Sequence, residues 1–257
     1  MYDNIHQMLV TLKLKGMNEK FDMVLTSSEQ KSLSTKKVIM QLLHEELIYR
    51  QERSIESRLR HAKLPWELGL ETFPFDQQPS INKLQIKNFA SLSFIERREN
   101  IILIGKPGTG KTGIATSLLR EAVINGYRGR FYNAQQLLDD LYSALADRHS
   151  SKLIKQLSSY DLLIIDELGY LTLNVEQCNA FFKLMDARYL NKKSTIITTN
   201  LEYEQWYHLF NQKELVDAML DRLKHHCHTI HIKGKSLRVP TATGNKTTDH
   251  KHLKSKK

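Results

Sequence analysis

The chain has 257 residues, 40% hydrophobic and 26% charged, with a formal net charge of +10. That suits one full-sized domain plus a smaller accessory region, and eleven Gly and five Pro are too few for a collagenous or low-complexity chain. Cys178 and Cys227 alone cannot build a disulfide framework, the start MYDNIHQMLV lacks a basic-then-apolar signal pattern, and no stretch reaches the roughly 18 apolar residues of a membrane helix. The expectation is a cytoplasmic protein in a reducing compartment, with no membrane association. The charge is uneven. Residues 1–70 carry 11 Lys/Arg against 9 Asp/Glu, whereas residues 224–257 carry 9 Lys/Arg against one acid, Asp249. A basic end of this kind binds nucleic acid or is simply solvated.

Residues 1 to about 63 read as helical. From Lys36 onward there is no Gly or Pro until Pro65, and Val38, Ile39, Leu42, Leu43, Leu47, Tyr49 and Ile55 suit a helix that buries one stripe. Ser34 or Thr35 is placed to cap its start. Arg50, Arg53, Arg58 and Arg60 fall on the other faces, as a solvated surface or as contacts to phosphates. Residues 64–82 hold Pro65, Pro74 and Pro79 with Trp66, Phe73 and Phe75 among them. Pro stiffens this segment and aromatics favour burial, so it reads as a linker packed onto the next domain.

Short apolar runs then alternate with helical segments: NIILI (100–104), RFYNA (130–134), DLLIID (161–166), STIITT (194–199) and HTIHI (228–232). Alternation of this kind predicts a five-stranded parallel sheet covered by helices on both faces, an α/β fold. The last dozen or so residues read as disordered.

The strongest motif is Gly105-Lys106-Pro107-Gly108-Thr109-Gly110-Lys111-Thr112-Gly113. It fits the P-loop pattern and stands between a strand and a helix. Glycines let backbone N–H groups turn inward around phosphates, and the helix start adds positive partial charge. Lys111 is placed to reach the β and γ phosphates of ATP, and the Thr112 hydroxyl to bind Mg²⁺.

The strand Leu162–Ile165 runs into Asp166 and Glu167. In open α/β sheets ligands bind at the carboxyl ends of strands. Asp166 is the candidate Mg²⁺ partner, and Glu167 the candidate base for the attacking water. Asn200 ends the STIITT strand and is either a turn residue or a contact to the water or γ phosphate. Arg222 is either paired with an acid or reaches a neighbouring subunit's γ phosphate. Arg238 is placed to touch the nucleotide of its own subunit. His225, His226, Cys227, His228 and His231 cluster in sequence, but alternation along a strand would split them between faces, which disfavours zinc. Cys178 reads as a small buried hydrophobe.

The order of these pieces resembles the AAA+ initiator clade, specifically the IstB/DnaC-like ATPases. The likeness is carried by Leu12 to Met17, Glu71-Thr72-Phe73 through Phe89, Phe94 to Asn100, Tyr160 to Leu171, Thr199-Asn200 and Met219-Leu220-Asp221-Arg222-Leu223. It spans nearly the whole chain and is closer to the IstB-like transposition helpers than to the helicase loaders. The resemblance implies a P-loop AAA+ ATPase domain (83–240) after a small all-α domain (1–63) for DNA or partners and a linker (64–82), with a basic tail (241–257). It implies that Asn200 is sensor 1, that Arg222 is a finger acting in trans and that Arg238 is sensor 2. ATP would then sit between subunits and drive oligomer formation. A full helical lid does not fit after Ile232, so Arg238 lies on a short segment. The helical insertion at about 135–158 corresponds to a DNA-engaging element of initiator ATPases and carries Arg148, His149, Lys152 and Lys155. The implied function is an ATP- and Mg²⁺-dependent ATPase. It would oligomerise on duplex DNA without sequence specificity and assist a cognate transposase in target selection and insertion. The alternatives are a DnaC-like loader of the replicative helicase, which would prefer single strands, and a P-loop enzyme unrelated to DNA.

Overall fold

The computed structural model describes residues 2–66, 69–147, 149–169, 171 and 173–238. Arg148 and the expected tail at 241–257 lie outside the described residues. Strands β1 (Asn100–Gly105), β2 (Gly129–Asn133), β3 (Leu162–Leu168), β4 (Ser194–Thr199) and β5 (Cys227–Ile232) form one sheet in the order β2-β3-β4-β1-β5. All four pairings are parallel. Parallel strands need crossovers, and the crossover helices cover both faces.

One face of the sheet presents Ile101, Leu103, Leu162, Ile164 and Ile196 to a core shared with α6 (Lys111–Ile124), α4 (Lys83–Ala90) and α5 (Ser93–Glu96). The other face presents Ile102, Ile104, Leu163, Ile165 and Ile197. These pack on α7 (Ala134–Ala146), α8 (Ser150–Ser158), α9 (Val175–Leu190), α10 (Tyr203–Phe210) and α11 (Lys213–His225). Both faces of β4, and of β3 apart from Glu167, are therefore buried, and β4 has no exposed residue. Cys178 is buried on α9. Among the described residues no helix is long and apolar enough to cross a membrane.

The helical start of the chain is three helices: α1 (Tyr2–Thr11), α2 (Lys15–Gln30) and α3 (Thr35–Ala62). Leu9, Phe21, Val24 and Leu42 form a small core of their own. Gly16 lets α2 touch α3, since a Cβ there would lie 2.5 Å from Tyr49 Cβ and 2.7 Å from the Glu45 carbonyl. Glu46 on α3 then caps α2 from outside. It is buried and accepts from the Met17 N–H at 3.1 Å and from Arg50 Nε at 2.7 Å. Burial opposes its charge, but Arg50 and the helix-start amides of Met17 and Gly16 outweigh that and hold the carboxyl below its ordinary range.

The expected stripe on α3 needs correction. Leu42 turns inward, but Ile39, Leu43 and Leu47 are 52%, 51% and 65% exposed. This part of α3 packs chiefly on α2, so the inward row is the narrow set Val38, Leu42, Glu46 and Tyr49. Ser34 holds the N-cap position of α3 but makes no side-chain cap bond.

The far end of α3 is fixed to the sheet domain. Ala62 is fully buried, Arg58 Nε donates to the Val123 carbonyl at 3.2 Å, and Arg130 Nη1 donates to the His61 carbonyl at 2.7 Å. Between α3 and α4, Phe73 and Phe75 stack edge to face at 4.8 Å and pack against the α6 core, whereas Trp66 stays 47% exposed.

Gly16→Ala is expected to push α2 off α3 and cost about 1–3 kcal/mol, the usual range for overpacking. Chemical denaturation should register that loss, while nucleotide affinity stays unchanged.

Candidate functional site

The P-loop joins β1 to α6 through Gly108 and Gly110, at φ +77° and +94°. These are values that a side chain rarely adopts. A Cβ on Gly110 would also lie 2.7 Å from the Phe73 ring. Thr109 is buried and ties the loop internally through its hydroxyl to the Lys106 carbonyl at 2.8 Å. The loop delivers Lys111 as the first residue of α6, so helix-start N–H groups face the same hollow. Lys111 Nζ donates to the Gly105 and Lys106 carbonyls at 2.8 and 2.9 Å. Burial lowers its pKa most, Asp166 and Glu167 pull it back up, and Arg238 adds to the lowering.

Asp166 sits at the carboxyl end of β3 and is buried. It accepts from the Thr112 hydroxyl at 2.9 and 3.1 Å and from the Thr198 hydroxyl at 2.6 Å. Burial raises its pKa, the Thr198 and Thr112 hydroxyls lower it, Glu167 raises it and Lys111 lowers it, with a net shift upward. Thr112 and Asp166 are hard oxygen donors beside an incompletely compensated negative charge. That donor set fits Mg²⁺.

Glu167 bulges out of the β3–β4 pairing. The β3–β4 register shifts between Ile165 and Leu168, and Glu167 takes φ +60° with its N–H bonded to Thr198 Oγ1 at 2.9 Å. Its side chain is exposed next to its buried neighbour. Asn133, at the end of β2 and in register with Asp166, donates from Nδ2 to Glu167 Oε2 at 3.3 Å. The other end of that amide caps α7, accepting from the Gln135 N–H at 3.0 Å. Sequence reasoning passed over Asn133 and Thr198. Their signal was a polar side chain at the carboxyl end of a strand, the same signal that marked Asn200.

Asn200 Oδ1 is buried with no hydrogen-bond partner among the described residues, and a Cβ on Gly169 would lie 2.5 Å from it. The segment after β5 closes the other side of the hollow. Leu237 N–H donates to the Gly108 carbonyl at 2.7 Å, and Gln78 Nε2, before α4, donates to the Lys235 carbonyl at 2.6 Å. The resulting pocket is about 690 Å³, with Lys111, Thr112, Glu167, Asn200, Arg238 and Phe73 in its wall. The loop residues Pro107, Gly108, Gly110 and Gly113 line it too.

Arg222 is not there. It lies in the last turn of α11, bonded to Asp186 at 2.7 Å and to the Ala218 carbonyl at 2.7 Å, and lines a separate cavity. Of the basic residues singled out for DNA, Arg50 pairs with Glu46, Arg53 with Glu56, and Arg58 caps α6. Arg60, Lys152 and Lys155 are exposed. The histidines part company: His228 bonds Glu99 at 2.9 Å and His231 lies 3.4 Å from Glu202, while His225 and His226 line the second cavity.

A parallel sheet that delivers a P-loop and a strand-end Asp-Glu pair into one hollow defines a P-loop ATP-binding protein. Residues 7–244 match the family described as IstB-like ATP binding protein, and the chain belongs to that family. It is 38% identical over 232 residues to a protein of Pseudomonas aeruginosa named for insertion sequence IS21 and ATP binding, covering 90% of this chain and 87% of that one. A second relative, named in the same way for IS232 of Bacillus thuringiensis subsp. berliner, is 37% identical, covering 92% and 96%. Among solved structures the DnaC helicase loader matches with TM-score 0.57 and 27% identity, covering 67% of this chain and all of that one. AMPPCP-bound DnaA from Aquifex aeolicus matches with TM-score 0.56 and 20% identity, covering 66% and 51%, a likeness of fold.

Asp166→Asn is expected to stabilise the nucleotide-free protein, because the raised pKa means that the buried charge is a net cost to folding. The sign is fixed by that direction. The excess melting temperature over wild type should be present at neutral pH and vanish as pH falls through the raised Asp166 pKa. Thermal melts across that range check it.

Proposed function

We propose that this protein is an Mg²⁺-dependent ATPase that assembles with further copies on duplex DNA, without sequence specificity, and assists the transposase of its insertion sequence in target selection and insertion. The observation that carries the reading is the hydrogen-bonded Thr112–Asp166–Thr198 cluster, with Asp166 and Thr198 buried and Thr112 at the pocket wall, between Lys111 and an exposed Glu167.

In this scheme Lys111 offsets charge on the β and γ phosphates, and the loop amides with Gly105 to Gly113 cradle them. Thr112 and Asp166 hold Mg²⁺, which when bound neutralises phosphate charge. Glu167 takes the proton of the attacking water, with Asn133 aligning its carboxylate. Asn200 orients that water or the γ phosphate. Arg238 contacts the nucleotide of its own chain, and Arg222 of a neighbouring copy offsets the transferred charge. The water oxygen bonds to the γ phosphorus as the bond to the ADP oxygen breaks.

The basic residues after Leu223 support contact with duplex phosphates, as do the exposed Arg60 and Lys152. Arg50, Arg53 and Arg58 would exchange an internal partner for a phosphate, and Arg148 belongs to the same expected set. Relatives named for insertion sequences support the transposase as partner. The likeness to a helicase loader over the whole of that chain favours a second reading, loading of the replicative helicase.

Glu167→Gln should keep ATP affinity and lower turnover about 10²–10⁴-fold, the usual worth of a positioned base. Steady-state phosphate release checks this, and wild-type turnover would remove Glu167 from the role. Fluorescence anisotropy with unrelated duplex and single strands, each with Mg²⁺-ATP, ADP or no nucleotide, tests the DNA reading. ATP-dependent duplex binding that falls steeply with salt is expected. A preference for single strands would support the loader instead.

A further inference from the structure

The second cavity, about 410 Å³, lies at the amino ends of β1 and β4, where Asn100 and Thr195 line it. The nucleotide pocket is at the other end of the same strands. Strands of six residues separate the two by about 20 Å at ~3.3 Å per residue. A nucleotide held by Lys111 therefore does not reach the second cavity.

Its wall includes six Lys and Arg side chains and no Asp or Glu. Three of the six have carboxylate partners: Arg97 with Glu99 at 3.0 Å, Lys193 with Asp161 at 2.7 Å, and Arg222 with Asp186 at 2.7 Å. The other three do not. Arg188 is buried and donates to the carbonyls of Leu157, Tyr160 and Ser194 and to the Thr195 hydroxyl. Burial lowers its pKa to about 9, which leaves it charged at neutral pH. Arg98 and Lys192 are exposed and have no ion-pair partner among the described residues.

Arg98 and Lys192 also share a backbone conformation, at φ +62° and +53°. This left-handed region costs a residue with a Cβ about 1 kcal/mol relative to Gly. Both follow helix ends, Arg98 after α5 and Lys192 after α9, where the Glu99 N–H donates to the Phe94 carbonyl at 2.8 Å and the Lys193 N–H to the Arg188 carbonyl at 3.0 Å, and the two turns meet at one cavity. A cavity wall with six cationic side chains, two of them exposed and without an ion-pair partner among the described residues, favours an anion.

The geometry points to a phosphate-binding cup in which Arg98 and Lys192, together with Arg222, receive the triphosphate of a nucleotide held by a second copy of this chain. The inference rests on the reading that Arg222 acts across a subunit boundary, and it adds two phosphate ligands to it. A duplex backbone is a convex rod and fits a recessed cup poorly, whereas the end of a triphosphate enters it. Head-to-tail association would seat the cup of one copy over the pocket of the next.

The test uses the full chain with Arg98→Gly, Lys192→Gly and the double variant, because Gly adopts the left-handed backbone without strain. Three results are expected. The melting temperature equals or exceeds that of wild type. Affinity for a fluorescent ATP analogue is unchanged at protein concentrations where the chain is monomeric. Self-assembly with Mg²⁺ and a non-hydrolysable ATP analogue, followed by sedimentation velocity, needs at least about tenfold more protein in each variant, as loss of a charge-assisted bond implies. Wild-type assembly by the double variant, with assembly lost in Arg222→Ala, would overturn the cup and leave the trans reading intact. Wild-type assembly by Arg222→Ala as well would overturn both. Lower melting temperatures for the Gly variants would show a structural role, and weakened duplex binding at unchanged assembly would assign the charges to DNA; either overturns the proposal.

Discussion

The buried carboxylate of Asp166 is the constraint on which the rest of this structure depends. It lies almost fully buried at the end of β3, and two threonine hydroxyls and a buried lysine only partly compensate it. An exposed position would make such a group ordinary in energy, but burial here makes it a standing cost. The neighbouring elements are arranged around that cost. Thr112 must begin α6 close enough to donate, Thr198 must lie on the adjacent strand in register, and Lys111 must fold back over the loop. The protein without ligand is therefore held in a state that favours gaining a positive charge at this point.

The bulge beside Asp166 arises from the same geometry. Simple alternation already sends Glu167 to the opposite side of the strand. The left-handed backbone at Glu167 and its bond to Thr198 go further and turn it out of the β3–β4 ladder. Two carboxylates adjacent in sequence thus occupy opposite environments, one dry and one wet. Asn133 reaches the wet one from the next strand, so the two are supported by different partners.

Much of this was legible in the sequence because the signals were local. STIITT reads as a strand at residues 194–199 and is one with those limits. The P-loop and the Asp166-Glu167 pair are contiguous motifs, and their meeting is expected of any parallel sheet that joins strand ends. The breaks between the first three helices were not legible. They fall at Lys13 and Ser32, which adopt positive φ without being Gly or Asn, and they are held by contacts such as Glu46 capping α2. The outward row Ile39, Leu43 and Leu47 was misread because periodicity marks an apolar face without saying whether anything covers it. Asn133, Thr198 and the basic cup were missed for a related reason. Each depends on which strand lies next to which, and the cup collects side chains from three separate stretches of chain, 97–100, 185–195 and 222–226.

The amino-terminal helices also have a mechanical meaning. Helix α3 has 28 residues, a rod of about 42 Å at ~1.5 Å per residue. Its far end is fastened to the last turn of α6, the helix that begins at Lys111. The rod carries α1 and α2 at its tip. It is a lever whose fulcrum is the end of the nucleotide-binding helix, so a tilt of only about 5° at that fulcrum moves the tip by roughly 4 Å over that length. An adjustment around the phosphates that tilted α6 would be magnified at the head, because α3 is one helix over Thr35–Ala62.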